Sequence, residues 1–133
     1  MATQPQFGTN PQIYKAIIAA ANTALTGAGP LTAIASGGVP SNPNAAASAL
    51  GTRIDRITFT AQTSTSAGML RLFIDGVLYK TILTNAVTIG ATAQPDTHVL
   101  ANLGLVLPPG STLCANNYNS SETWGVVVEG ELF

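Results

Sequence analysis

The sequence predicts an all-β fold, an antiparallel two-sheet sandwich, and three observations carry that expectation. Apolar and polar residues alternate with a period of two through Arg53–Ala61, Met69–Leu83 and Trp124–Leu132. Asp75-Gly76 separates two such runs, and an Asp-Gly step in that position is a strong hairpin signal because both turn residues need positive φ. Breaks rich in Pro and Gly recur between the runs, and such short connections favour antiparallel pairing.

Taken in order, Met1–Gln12 is polar and carries Pro5, Gly8 and Pro11, so it reads as an extended N-terminal arm, with residues 13–133 as a single β-sandwich domain. Ile13–Ala24 gives conflicting signals. Its alanines, with Ile13, Ile17, Ala20 and Ala24 at helical spacing, favour a helix. Its β-branched residues and the β character of the chain downstream favour a strand, the preferred reading. Leu31–Ala35 alternates as a short strand, and SGGVPSNPN (Ser36–Asn44) reads as a projecting loop.

From Gly51 the pattern strengthens. Arg53–Ala61 places Ile57, Phe59 and Ala61 on one face and Arg56, Thr58 and Thr60 on the other. In the hairpin, Leu70, Leu72 and Ile74 face inward with Arg71 opposite. Beyond the turn the inward set is either Val77, Tyr79 and Thr81 or Leu78, Lys80 and Ile82; the charge on Lys80 favours the first. Thr97–Leu107 alternates through Leu103, Leu105 and Leu107 until Pro108-Pro109-Gly110, where neither proline can donate to a ladder. Ser111–Asn117 points Leu113 and Ala115 inward. Trp124–Leu132 closes the domain with Trp124, Val126, Val128 and Leu132 on one face and Glu129 and Glu131 on the other, and its valines predict a central strand. Seven or eight strands at this spacing suit a jelly roll or a related sandwich.

Composition bears on function. Only 8% of the 133 residues are charged, against about 25% in ordinary domains. Thr, Ser, Asn, Gln, Ala and Gly take their place. Such a surface costs little to desolvate and suits protein contacts, whose cores are depleted of charge. With a net charge of −1 and no basic cluster, phosphate-mediated nucleic-acid binding is not expected. No apolar run reaches the length of a membrane span. MATQPQFGTNPQ lacks the basic and apolar regions of a secretion signal, so the product is expected to stay in the cytoplasm that makes it or to leave by a route other than secretion.

Catalytic and cofactor chemistry finds little purchase, and no catalytic, metal-binding or cofactor-binding residues are assigned. The single histidine, His98, lies two residues from Asp96 and reads as an exposed residue at a strand mouth. The single cysteine, Cys114, reads as a small buried strand residue. Asn116, Asn117, Asn119 and Glu122 are the one oxygen-rich group, better explained by turn formation than by calcium. Glu129 and Glu131 are spaced like paired carboxylates, although solvent-facing charges are the commoner outcome. Trp124 and Tyr118 offer a sugar-stacking pair, with core or rim the simpler reading of Trp124.

Two stretches go further, GTRIDRITFTAQTSTSAGMLRLFIDG (Gly51–Gly76) and LPPGSTLCANNYNSSETWGVVVEGELF (Leu107–Phe133). Together they resemble a group of small tailed-phage virion proteins, in which an RI-x-RI strand leads to a T-x-AG-x-(V/L)-RLFI strand and a LP-x-G-x-x-L turn precedes a closing strand ending EG-x-x-F. The resemblance implies a jelly-roll-like capsid decoration or cement protein. Such a protein is a non-enzymatic homo-oligomer that binds the outside of the assembled shell and bridges major capsid subunits. A homotrimer fits the local threefold axes of capsids, and a homodimer stays open. The interface expectations are Phe7, Ile13, Tyr14, Leu132 and Phe133. The alternative is a tail or receptor-binding, carbohydrate-binding virion module.

Overall fold

The computed structural model describes residues 10–19, 21–22, 27–37, 51–119 and 121–132. These form an all-β structure of nine strands: β1 (Asn10–Ile18), β2 (Thr32–Ser36), β3 (Thr52–Ala61), β4 (Gly68–Ile74), β5 (Val77–Thr84), β6 (Thr97–Leu100), β7 (Leu105–Leu107), β8 (Thr112–Asn117) and β9 (Trp124–Leu132). One sheet runs β1-β9-β3-β6, with β7 also paired to β3; the other runs β2-β8-β4-β5. All the strand pairs are antiparallel. The inward faces of both sheets meet in one core that includes Tyr14, Ile18, Ile34, Ile57, Phe59, Leu70, Leu72, Leu113, Trp124, Val126 and Val128.

The ambiguous first segment is a strand, and it begins at Asn10, inside the stretch expected to be arm. β1 lies at a sheet edge, where Pro11 need not donate to a neighbour. The valine-rich β9 is central, bonded to β1 on one side and β3 on the other. Asp75 and Gly76 adopt φ of 49° and 82°, the paired positive values of a two-residue hairpin turn.

Two further expectations need correction. Thr97–Leu107 is two strands, because Asn102 and Gly104 take φ of 54° and 55° and break the ladder between β6 and β7. Neither inward set for β5 holds along the whole strand. Lys80 pairs with Leu72 and Leu78 with Phe73, leaving Tyr79 as an extra residue at a bulge. As a result Tyr79 and Ile82 both pack against the core. Arg71 does point away from the core, yet it is only 5% exposed. In the Ser36–Asn44 loop, all but Ser36 and Gly37 fall outside the described residues.

Candidate docking surface

Strand register sets out the open face of the first sheet. Residues opposite one another on neighbouring strands share a face. The inward rows are Tyr14–Val128–Ile57–Leu100, Ala16–Val126–Phe59–His98 and Ile18–Trp124–Ala61. The intervening outward rows are Ile13–Glu129–Arg56, Lys15–Val127–Thr58–Val99 and Ile17–Gly125–Thr60–Thr97. Ile13 is 50% exposed, Ile17 58% and Val99 53%. No other described strand packs over this face.

The face is divided. Toward one end Arg53 bonds both Asp55 and Glu131, each at 3.1 Å, and Arg53 and Asp55 line a small polar recess with Arg56, Asn102 and Glu129. Toward the other end lies a groove of about 620 Å³, lined by Lys15, Ala16, Ile17, Thr60, Gln62, Gly125 and the flanking Val126 and Val127. Gly125 makes its floor. A Cβ there would stand 3.0 Å from Nε2 of Gln62, so the missing side chain is what opens the depression. The surface thus offers an apolar, amide-bordered groove beside a charged corner. Its apolar part gains by leaving water, and its polar corner fixes orientation.

The expected interface residues separate. Ile13 is on the open face. Tyr14 is fully buried, since strand alternation turns it into the core, where its phenol donates to the Ser36 carbonyl at 3.1 Å. It is therefore a core residue and offers no docking surface. Leu132 ends β9 opposite Asn10 and Thr52; Phe7 and Phe133 lie outside the described residues. Sequence reasoning missed Ile17, Val127 and Gly125. Their signal was present in the alternation of β1 and β9, because each lies one residue from a core position.

The chemistry-bearing groups also resolve. Asp96 and His98 share a face as expected, but neither is freely exposed. Asp96 Oδ2 meets His98 Nε2 at 2.8 Å, and the carboxylate accepts from the Asn85 backbone N–H at 2.9 Å and from Asn85 Nδ2 at 3.1 Å. Burial works to raise the Asp96 pKa, but the bonds from Asn85 and His98 outweigh it and hold the carboxyl below its usual range. The His98 ring lies 6.0 Å from that of Trp124. Trp124 is fully buried and cannot stack on a sugar; its indole donates to Glu122 Oε2 at 3.4 Å. Glu122 also accepts from the Ser66 N–H at 2.7 Å and from Asn117 Nδ2 at 3.3 Å. The oxygen-rich segment is thus a turn tied by its own hydrogen bonds. Cys114 is half-buried on β8; burial, then the charge of Asp75, pushes its thiol pKa up. Among the described residues no group of His, Cys, Asp and Glu is arranged to hold a metal ion.

Comparison with protein-family models, curated proteins and solved structures finds no match to this chain.

Proposed function

We propose that this chain is a non-enzymatic virion structural protein that binds the outside of an assembled phage capsid and bridges neighbouring major capsid subunits. The observation that carries the reading is the outer face of the first sheet. Ile17 borders a Gly125-floored groove, Ile13 and Val99 stand exposed on the same face, and a corner carrying Arg53, Asp55, Arg56 and Glu129 lies beside them. A face of that composition suits protein contact better than solvent. Repetition over a symmetric lattice turns modest contacts into strong retention. The strand order β1-β9-β3-β6 against β2-β8-β4-β5 supports a jelly-roll reading of the sandwich. The Gly51–Gly76 and Leu107–Phe133 motifs point to the same group of virion proteins.

Tail or neck placement is the second reading, because the same motifs would serve there. Its carbohydrate-binding form loses the stacking platform expected at Trp124, which is buried. Quantitative mass spectrometry of purified particles separates the two placements. Hundreds of copies per particle support capsid decoration; a handful indicates a tail component, and none overturns the virion reading.

A further inference from the structure

We infer that the Gly125 groove seats an extended segment of a protein partner carrying an aliphatic residue and, two positions away, an aspartate or glutamate. The aliphatic side chain fills the depression at Gly125, and the carboxylate pairs with Lys15. The inference names the partner of the docking face described above and rests on that reading of it. The residues that carry it are at the surface: Lys15, Ile17 and Gln62 are all exposed, and all line the groove.

Strand geometry sets the spacing. Gly125 lies between Ile17 and Thr60 in one outward row, and the next outward row carries Lys15 opposite Val127. The two rows are two residues apart along the strands, about 7 Å. Side chains i and i+2 on one face of an extended chain have the same separation. A segment lying along β9 that sets one side chain on Gly125 therefore brings the side chain two residues away over the Lys15 row. The apolar stretch of Ile17, Gly125 and Val127 suits an aliphatic group. That half of the site selects a polypeptide over a phosphate.

Lys15 decides the charge. It stands between the exposed Ile13 and Ile17 on β1. All six Asp and Glu side chains are among the described residues, and none forms an ion pair with Lys15. Arg53 holds Asp55 and Glu131, and Glu129, one row away from Lys15, stands opposite Ile13 and Arg56. In water an unpaired ammonium among isoleucines is well solvated. Covered by a partner it loses that water, and the burial is costly without a counter-charge. A partner closing on this face meets the cost with a carboxylate. The Gln62 amide, bonded to no described residue, is free to pair with the backbone of the same segment.

The test is an NMR titration of the full ¹⁵N-labelled chain at constant ionic strength, following the backbone amides of Lys15, Ile17, Thr60, Gly125 and Val127. The probes are acetyl-Thr-Ile-Thr-Glu-Thr-amide and its glutamine analogue acetyl-Thr-Ile-Thr-Gln-Thr-amide. The glutamate peptide should give saturable shifts at these amides and bind about threefold more tightly than the glutamine one. Lys15→Met should erase that difference, and Lys15→Arg should keep it. Equal binding of the two peptides by the native chain would overturn the carboxylate. Shifts centred on Arg53 or Arg56, or no saturable shift with either peptide, would overturn the site. Binding to stripped capsids separates this inference from the reading beneath it. Native binding that Lys15→Met leaves equal or tighter would overturn the carboxylate and keep the docking reading, whereas no binding by the native chain would overturn the docking reading itself.

Discussion

The phenol of Tyr14 on β1 donates to the carbonyl of Ser36 on β2 at 3.1 Å, joining the edge strand of one sheet to the edge strand of the other. Both residues are buried, and burial pushes the Tyr14 pKa up, partly offset by a hydrogen bond with Thr52. Tyr14→Phe keeps the ring and loses the bond, which should cost about 1 kcal/mol. Tyr14→Ala also loses the packing, and should cost about 3–5 kcal/mol. Urea unfolding of both variants measures this. Partner binding by the folded Tyr14→Phe chain should stay unchanged, in keeping with a core role.

Asp96 gives the fold an acid-sensitive point. Its folded pKa is held below the unfolded value. The stability it contributes is therefore fully present above the unfolded pKa, near 3.8, and is lost as pH falls through the folded pKa. Asp96→Asn removes a charged acceptor bonded by Asn85 and His98 and should cost about 1–3 kcal/mol at neutral pH. Denaturant midpoints measured from neutral to acid pH should fall more steeply for the native chain than for the variant, the two curves converging at the acid end.

At the β4–β5 turn, Gly76 takes φ of 82°, and a Cβ there would meet no other atom within 4 Å. Gly76→Ala therefore meets no clash and suffers only the left-handed backbone penalty, about 1–2 kcal/mol. Thermal unfolding should show that loss. Asp75, the other turn residue, also accepts the Thr112 N–H through Oδ1 at 2.9 Å, so Asp75→Ala should destabilise as well.

Much of the fold was legible because local signals agreed with the tertiary outcome. Val126 and Val128 in strict alternation announced a central strand, and Asp75-Gly76 announced its hairpin. What the sequence concealed depended on long-range pairing. The leucines at 103, 105 and 107 carry a strand pattern across Asn102 and Gly104, whose backbone conformation ends the ladder. The bulge at Tyr79 exists only against β4, so no feature of β5 alone selects its inward residues. Tyr14 looked like an interface residue next to a polar arm until pairing with β9 turned it inward. The burial of Arg71 and of Asp96 likewise comes from neighbours distant in sequence. The docking face was half legible: Ile13 was named, whereas the groove arises from the registry of Ile17 with Gly125 and Thr60.

The central claim is that this chain docks on an assembled protein shell through the outer face of its first sheet. Ile17→Glu places a charge beside the groove at a position 58% exposed, where stability should change by no more than about 0.5 kcal/mol. The decisive measurement is a binding isotherm of the purified chain on assembled capsids stripped of it, with native and Ile17→Glu proteins compared at matched fold stability. The native chain should saturate at a stoichiometry set by the lattice, and the variant should bind at least tenfold more weakly, a loss of about 1.4 kcal/mol. Equal filling by both chains, or no saturable binding by the native one, would contradict the account.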